Sequence, residues 1–168
     1  HKVSADLHEG IDSTLLILKY RLKGNEHRPA IEVTQDYGNL PSIQCFPGQL
    51  NQVFMNILAN AIDVFDEAAQ QSSFEHLKAN PQKITIHTAL IQPNEIEIRI
   101  GDNGIGMTEE VKSRIFDHLF TTKSVGKGTG LGLAIAYQIV VEKHGGSLEV
   151  QSEVGQGTEF CIRLSISG

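Results

Sequence analysis

The feature that most constrains this chain is a long amphipathic helix predicted over residues 49–71. Apolar side chains recur there at the spacing of one helix face, at Leu50, Val53, Phe54, Ile57, Leu58, Ala61 and Phe65. An apolar face of this length is stable only when it packs against another layer of secondary structure. The rest of the chain must therefore build a second layer around this helix.

Two predicted β-hairpins supply part of that layer. Residues 83–91 and 95–100 flank the turn "QPN", and residues 147–152 and 158–166 flank "EVGQG". In the last of these strands, apolar side chains share one face: Phe160, Ile162, Leu164 and Ile166. Alternation of apolar and polar residues along a strand is typical of a sheet that packs against helices on one face only.

Three further helices and two short strands complete the pattern. Helices are predicted over residues 7–23, 108–115 and 131–144. Short strands are predicted over residues 31–37 and 42–46, and these two strands either pair with each other as a hairpin or lie as neighbours. No internal repeat interrupts the pattern. We therefore expect an α+β fold, with one mixed sheet and its helices collected on one side.

Composition and charge exclude several classes of function. The 168 residues are 40% hydrophobic and 20% charged, which suits one domain with a full core. The formal net charge is -6 and the acidic residues are spread along the chain, so no basic patch for nucleic acid is expected. No apolar run approaches the roughly 18–20 residues that cross a bilayer. The N-terminal residues do not have the pattern of a signal peptide.

The two cysteines, Cys45 and Cys161, lie in apolar surroundings far apart in the sequence. They have neither the spacing of a zinc site nor that of a CxxC motif. We interpret both as core thiols in a reducing compartment, the cytoplasm. The chain begins at His1 without Met, which favours a piece of a longer protein.

A polar stripe accompanies the apolar face of the long helix. Asn56, Asn60 and Asp63 lie at positions i, i+4 and i+7, about 130° from the centre of the apolar face. One interpretation is a solvated helix flank. However, asparagine is a poor helix former, and its amide oxygen suits Mg²⁺, an ion that takes its other oxygens from water and phosphates. The stripe is therefore a candidate metal and phosphate site.

A second polar feature follows the predicted strand 95–100. In "RIGDNGIGM", the parity that puts the isoleucines of the strand on the core side also puts Asp102 there. Burial of an unpartnered carboxylate is costly, whereas the amino group of a planar heterocycle such as adenine would satisfy it. Gly104 and Gly106 would let the backbone turn beneath the ring. The alternative is a plain "DNG" β-turn.

Residues 121–135, "TTKSVGKGTGLGLAI", are rich in glycine although they run into a helix. Glycine inside a helix costs about 1 kcal/mol relative to alanine, so we expect close approach of this backbone to a ligand. The spacing fits neither a Walker A loop nor a dinucleotide fingerprint. The N–H groups at the helix start still form an anion site, with Lys123 and Lys127 nearby. The alternative, a mobile surface loop, explains residues 121–128 but not the apolar run that follows.

In order along the chain, the asparagine-bearing helix, "DNGIGM", "IFDHLFTTK" and "GKGTGLGLAIA" resemble the N, G1, F and G2 boxes of the ATP-binding catalytic domain of bacterial sensor histidine kinases. These domains belong to the Bergerat-fold GHKL superfamily, with gyrase, heat-shock chaperone and mismatch-repair ATPases. The resemblance covers residues 30–166, nearly the whole chain. It implies a two-layer α/β sandwich with a mixed, mostly antiparallel sheet. It also implies that the chain binds ATP and Mg²⁺.

The resemblance assigns roles to individual residues. Asn60 resembles the asparagine that binds Mg²⁺, and Asn56 lies beside the phosphates. Asp102 resembles the aspartate that binds adenine, and Lys123 resembles a cation of the lid that covers the nucleotide. Other residues that resemble binding positions are Gly104 and Gly106 at the base, Thr158 beside the aspartate, and Gly128, Thr129, Gly130, Leu131 and Gly132 around the phosphates. The residues that resemble lid anchors are Phe116 and Phe120.

Two positions depart from the family pattern. Many such kinases carry lysine three residues after the Mg²⁺ asparagine, where this chain has Asp63. An acid cannot pair with phosphate, so the role of Asp63 stays open between a water on the base side and one on the metal. His8 superficially fits the phosphoacceptor, but the residues after it lack the usual "NP". We therefore expect residues 1–25 to be a connecting helix from a dimerisation and phosphoacceptor domain, and residues 26–168 to be the catalytic domain.

The resemblance implies a protein histidine kinase with Asn60 and Lys123 as its catalytic residues. It would transfer the γ-phosphate of ATP to a histidine on the dimerisation domain of the same full-length kinase, with a cognate response regulator as a further partner. No contact with nucleic acid, and no direct contact of this fragment with a membrane, is expected. The alternatives are a GHKL ATPase or an anti-sigma-type serine kinase, and a binding module with a degenerate pocket. The F box argues against the first alternative, and the intact Asp102 against the second.

Overall fold

The computed structural model describes residues 1–117 and 131–168. The strands are β1 Val3–Ala5, β2 Glu32–Tyr37, β3 Ile43–Cys45, β4 Lys83–Gln92, β5 Glu95–Asp102, β6 Ser147–Glu153 and β7 Gly157–Ser165. The helices are α1 Leu7–Ile17, α2 Lys19–Leu22, α3 Pro47–Ala69, α4 Phe74–Ala79, α5 Glu109–Arg114 and α6 Gly132–Tyr137, which continues as a π-helical segment, Gln138–Lys143. Within these ranges no helix is both long enough and apolar enough to cross a membrane.

Five strands form one sheet in the order β2, β4, β5, β7, β6. β2 and β4 are parallel, and the other neighbours are antiparallel. The predicted mixed sheet and both predicted hairpins, β4–β5 and β6–β7, are confirmed. The register aligns Ile84, Asp102, Thr158 and Ser152 in one row across four strands. This row of residues positions the candidate site.

Helix α3 fills the centre of the protein. Pro47 begins it, at a position where the missing N–H of proline has no helical partner to lose. Its buried side chains are Leu50, Val53, Phe54, Ile57, Leu58, Ala61, Ile62, Phe65 and Ala69. They form one core with sheet residues such as Ile86, Ile98 and Phe160, and α1 and α6 pack against the same helix. The helix predicted over residues 49–71 is therefore confirmed. It begins and ends two residues earlier than predicted, at Pro47 and Ala69.

The predicted pairing of the two short strands is wrong. β2 pairs in parallel with β4, and β3 pairs antiparallel with β1, a strand that the sequence pattern does not predict. The lengths of the strands explain the outcome. β4 can pair with β2 along the whole of Glu32–Tyr37, whereas β3, which spans only Ile43–Cys45, could pair with about half of it. The longer register buries Val33 and Tyr37 partly against the core.

The helices differ from prediction at their ends. The helix predicted over residues 7–23 is interrupted at Leu18, whose φ of -85° and ψ of 0° end α1 before α2 begins. The helix predicted over residues 131–144 widens into the π-helical segment and is followed by Gly145, which has a positive φ of 66°. The helix predicted over residues 108–115 is confirmed as α5. Helix α4 is not predicted, and its single buried side chain, Leu77, forms no apolar stripe.

The N-terminal segment is bound closely to α3. Leu7 and Ile11 of α1 belong to the central core. Arg28 is buried, and its Nε donates a hydrogen bond to Asp66 of α3 at 2.8 Å. The same guanidinium donates to the backbone carbonyls of Arg21 at 2.5 Å and of Lys23 at 3.0 Å. These bonds fix the loop after α2 against the second half of α3.

Candidate functional site

The site begins at Asp102, the last residue of β5. Asp102 lies opposite Thr158 on the core side of the sheet, and its carboxylate accepts a hydrogen bond from the N–H of Gly104 at 2.9 Å. Val64 of α3 lies beside this turn. Burial raises the pKa of Asp102 above its ordinary value, and the backbone N–H groups of Gly104 and Thr158 offset this effect only in part. A carboxylate offers about four acceptor positions, so Asp102 keeps capacity to accept from a ligand.

Glycines hold the turn after Asp102 close to the β6–β7 hairpin. Gly106 has a φ of 74°, and a Cβ there would collide with the carbonyl oxygen of Glu153. Gly157 has a φ of 89°, and a Cβ there would collide with the carbonyl oxygen of Asp102. A Cβ on Gly104 would lie 2.9 Å from the Asp102 carboxylate. Positions 106 and 157 therefore require glycine for the close approach of these two backbone segments, whereas at Gly104 the neighbouring atom belongs to a side chain.

Thr158 is held beside Asp102 by a partly buried hydroxyl network. The hydroxyl oxygens of Thr158 and Ser152 are 2.8 Å apart. Ser152 Oγ also accepts from the N–H of Met107 at 2.8 Å and donates to the carbonyl of Gly157 at 2.9 Å. The network therefore joins the turn after β5 to the tip of the β6–β7 hairpin.

The predicted asparagine stripe on α3 faces the start of α6. Nδ2 of Asn56 donates to the carbonyl oxygen of Gly132 at 2.8 Å, and Oδ1 of Asn56 accepts from Gln52 at 2.6 Å. A Cβ on Gly132 would make only ordinary contact with Asn56, at 3.8 Å. Packing in this structure therefore does not require glycine at position 132. The structure brings together Asn56 and Gly132, which come from the N and G2 patterns.

Asn60 lies one turn beyond Asn56 on α3 and is partly exposed. Within residues 1–117 and 131–168, its amide makes no hydrogen bond. The same residues contain no group of three His, Cys, Asp or Glu side chains that could hold a metal ion. A metal ion at this stripe would therefore need most of its oxygen ligands from a bound molecule or from water.

Asp63 forms an ion pair with α2. Its carboxylate accepts from Nη2 of Arg21 at 2.7 Å, and the same nitrogen reaches Asp66 at 3.0 Å. The Asp63 side chain is only 17% exposed, against 41% for Arg21. The family resemblance leaves the role of Asp63 open. The ion pair gives this carboxylate a structural role, because it joins α2 to α3.

Phe116 lies after α5 and packs against the central core. Its ring centroid is 5.2 Å from that of Tyr137 in α6 and 6.2 Å from that of Phe160 in β7. Leu131 and Gly132 are described at the start of α6. The predicted site residues that lie outside the described ranges are Phe120, Lys123, Gly128, Thr129 and Gly130.

A family model supplies the decisive comparison. The model of the histidine kinase-, DNA gyrase B- and HSP90-like ATPases matches residues 46–168, from the start of α3 to the C-terminal residue. The chain belongs to this ATPase family. The match includes Asn56, Asn60, Asp102 and Thr158, so the site described above lies within the family domain, whose members bind ATP.

Curated relatives of this ATPase domain are bacterial sensor kinases. Sporulation kinase E of Bacillus subtilis (strain 168) is 41% identical over 128 residues, which cover 76% of this chain and 15% of the relative. Sensor kinase CckA of Brucella abortus (strain 2308) is 36% identical over 152 residues, which cover 89% of this chain and 16% of the relative. The chain is therefore similar to a small part of each of these proteins.

Solved structures show the same fold. The catalytic domain of histidine kinase ThkA matches with a TM-score of 0.77 and 22% identity, over 100% of this chain and 99% of that chain. A mycobacterial sensor histidine kinase, MprB, matches with a TM-score of 0.76 and 25% identity, over 99% of each chain. The likeness includes the segment before residue 46, which the ATPase family model does not match.

Sequence reasoning missed several parts of the candidate site. Gly157 carries a signal, because "GQGT" places it directly before Thr158 at a hairpin tip. Ser152 carries only a weak signal, because it shares the strand parity of the apolar Leu148 and Val150 but belongs to no motif. Its role follows only from the register that places it beside Thr158. The partner of Asp63, Arg21, also comes from a segment with no recognisable motif.

Proposed function

We propose that this chain is the catalytic ATP-binding domain of a two-component sensor histidine kinase, which binds Mg²⁺–ATP and transfers the γ-phosphate to a histidine on a separate dimerisation domain. The observation that carries the proposal is the partly buried carboxylate of Asp102, opposite Thr158 and beside α3. Membership of the ATPase family and similarity to sensor kinases support it.

The base of ATP would bind at Asp102. Its carboxylate would accept a hydrogen bond from the exocyclic amine of adenine, which satisfies a buried acceptor without bringing a second charge into the core. Gly106 keeps the following turn close to the hairpin, and the missing Cβ of Gly104 leaves the Asp102 carboxylate uncrowded. Thr158 would contact the same edge of the base.

Asn60 would hold Mg²⁺ through its amide oxygen. The donor set fits this ion, because Mg²⁺ is commonly bound by few protein oxygens together with phosphates and waters, and the described residues contain no cluster of acidic side chains that replaces them. The bound ion would neutralise charge on the phosphates. Asn56 would support the start of α6, where Leu131 and Gly132 lead into the helix N-terminus. Lys123, Gly128, Thr129 and Gly130 remain predicted phosphate contacts.

Transfer would break the bond between the γ-phosphorus and the oxygen that bridges it to the β-phosphate, so that ADP leaves with the electron pair. The new bond would form to the unprotonated ring nitrogen of the acceptor histidine, and the proton of the other ring nitrogen would pass to a base on the acceptor domain or to water. Positioning and charge neutralisation account for most catalysis of this type. The acceptor would lie on the dimerisation domain of the same full-length kinase. A response regulator would then receive the phosphoryl group. In support, ThkA, whose fold matches with a TM-score of 0.73 and 20% identity, has been solved in complex with response regulator protein TrrA.

His8 is not the acceptor in this proposal. Its Nε2 lies 2.7 Å from the hydroxyl of Thr88, and its ring stacks on Tyr37 with centroids 4.1 Å apart. A ring nitrogen held in this way is not presented to a phosphate. We propose residues 1–25 as the connection to the dimerisation domain and residues 26–168 as the catalytic domain.

Calorimetric titration of the chain with ATP, with and without Mg²⁺, tests the binding part of the proposal. Asp102→Ala should weaken ATP binding at least tenfold in both conditions, because a hydrogen bond to a charged group contributes about 1.5–3 kcal/mol. Asn60→Ala should chiefly remove the Mg²⁺ dependence. Asp36→Ala removes a carboxylate that is 71% exposed on β2 and serves as the matched control. Unchanged affinity in Asp102→Ala would refute the assignment.

Labelling tests the location of the acceptor. The isolated chain is expected to bind ATP but not to label itself with radioactive γ-phosphate, since its acceptor is proposed to lie on another domain. Stoichiometric acid-labile label on the chain would contradict this part of the proposal. His8→Ala would then show whether His8 carries the label.

A further inference from the structure

Ser152 is a buried hydroxyl that the proposed ATP site does not yet use. It lies in β6, is 7% exposed, and makes three contacts at hydrogen-bonding distance. Its Oγ is 2.8 Å from the N–H of Met107, 2.9 Å from the carbonyl oxygen of Gly157, and 2.8 Å from the hydroxyl of Thr158. Each partner belongs to the end of the sheet that holds Asp102.

The chemistry of these three groups determines where the hydroxyl protons lie. An N–H can only donate, so Ser152 accepts from Met107, and a carbonyl can only accept, so Ser152 donates its one proton to Gly157. All three contacts are then hydrogen bonds only if Thr158 donates its own proton to Ser152. With its proton committed in this way, Thr158 has only lone pairs left for any other partner.

We propose that Ser152 is a positioning residue for base recognition, which fixes the Thr158 hydroxyl as an acceptor beside the acceptor carboxylate of Asp102. This inference rests on the proposed binding of ATP at this corner. Two adjacent acceptors favour a base edge, or a bridging water, that offers protons to both. The exocyclic amine of adenine offers two protons. A 6-oxo purine such as hypoxanthine presents a carbonyl oxygen at the same position, and this oxygen would face two acceptors.

A purely structural role for Ser152 is the rival explanation, because its bonds to Met107 and Gly157 also join the turn after β5 to the hairpin. Loss of those bonds would weaken the binding of every nucleotide by the same factor. Loss of the proton arrangement would instead change the preference between bases, because the freed Thr158 hydroxyl could then donate. The ratio of two affinities therefore separates the two roles.

The experiment compares dissociation constants of the chain for ATP and for inosine triphosphate, which has oxygen in place of the amine. In Ser152→Ala the preference for ATP should fall about three- to tenfold, the change expected when one hydrogen bond is lost. Ser152→Thr keeps the hydroxyl and should retain more of the preference. Ser147→Ala, the same substitution in a partly buried residue of the same strand, should leave the preference unchanged.

An unchanged ratio in a folded Ser152→Ala variant would overturn the inference, even if both affinities fall. If that variant does not fold, Thr158→Val gives an independent result. If the Thr158 hydroxyl is an acceptor, Thr158→Val should lose more affinity for ATP than for inosine triphosphate. The reverse order would mean that the hydroxyl donates, and it would also overturn the inference. Failure of the unsubstituted chain to bind either nucleotide would refute the proposed function itself.

Discussion

The side-chain amide of Asn56 in α3 donates a hydrogen bond to the carbonyl oxygen of Gly132, the first residue of α6, at 2.8 Å. The amide cannot rotate freely, because Gln52 donates to its oxygen from one turn earlier at 2.6 Å. The start of α6 is therefore held by a side chain of the central helix. In the proposed ATP site, this contact would position the helix end that faces the phosphates.

Replacement of Asn56 by alanine should therefore destabilise the protein. Removal of one partner of a partly buried hydrogen bond costs about 1 kcal/mol, and we expect a fall of this size in the free energy of unfolding by urea. Gln52→Ala is the control, because it removes only the exposed contact to the same amide and should change stability by less than about 0.5 kcal/mol. Equal losses in the two variants would contradict a specific role for the bond to Gly132.

Two glycines of one hairpin allow a steric effect to be separated from a conformational one. Gly155 and Gly157 have similar positive φ values, 85° and 89°. Among residues 1–117 and 131–168, a Cβ on Gly155 would meet nothing within 4 Å, whereas one on Gly157 would collide with the carbonyl oxygen of Asp102. Gly155→Ala should cost about 1–2 kcal/mol, the strain of the left-handed backbone. Gly157→Ala should cost clearly more in the same urea unfolding measurement, and equal costs would mean that the hairpin simply moves away.

The elements that could be predicted are those whose pattern repeats many times. Helix α3 shows its apolar face over several turns, and the two hairpins have clear turns between alternating strands. Strand pairing of β2 and β3 could not be predicted, because a local pattern does not identify which of several strands lies alongside. β1 is too short to show periodicity, and α4 buries only one side chain, Leu77.

The same distinction applies to the candidate site. Asp102 could be predicted, because the parity of β5 extends to it and a buried carboxylate is unusual. Gly104 and Gly106 follow from the same motif. The hydroxyl of Ser152 and the ion pair of Asp63 with Arg21 depend on register and on packing between distant segments, which the sequence pattern does not contain. The site residues that sequence reasoning missed are therefore those that hold other residues in place.

Arg28 provides a test of how strongly the N-terminal segment is tied to α3. Its side chain is 2% exposed and donates to Asp66 and to backbone carbonyls. Truncation to alanine would leave the backbone carbonyls of Arg21 and Lys23 without their donor, while Asp66 keeps its bond from Arg21, so we expect a loss of about 2–3 kcal/mol in the free energy of unfolding. Arg21→Ala removes ion pairs with Asp63 and Asp66, but Arg21 is 41% exposed, and its replacement should cost about 1 kcal/mol or less. A similar small effect for Arg28→Ala would contradict the structural role assigned to it.

His144 should make the stability of the protein sensitive to acid. Its Nδ1 lies 2.8 Å from the carbonyl oxygen of Ile139 and must donate to it, so Nε2 accepts from the N–H of Phe46 at 3.1 Å. Burial lowers the pKa of His144 below its ordinary value, and the Ile139 carbonyl opposes this only in part.

The unfolded chain therefore binds the proton more readily than the folded protein. The contribution of His144 to stability should be complete above about pH 6.5, the ordinary pKa of histidine, and should be lost as the pH falls from there through the lower pKa of the folded state. Urea unfolding between pH 7.5 and 5 should show a smaller pH dependence for His144→Gln than for the unsubstituted protein. His76→Gln, at an exposed position of α4, should keep the original dependence. Parallel curves for His144→Gln and the unsubstituted protein would show that the neutral imidazole is not required.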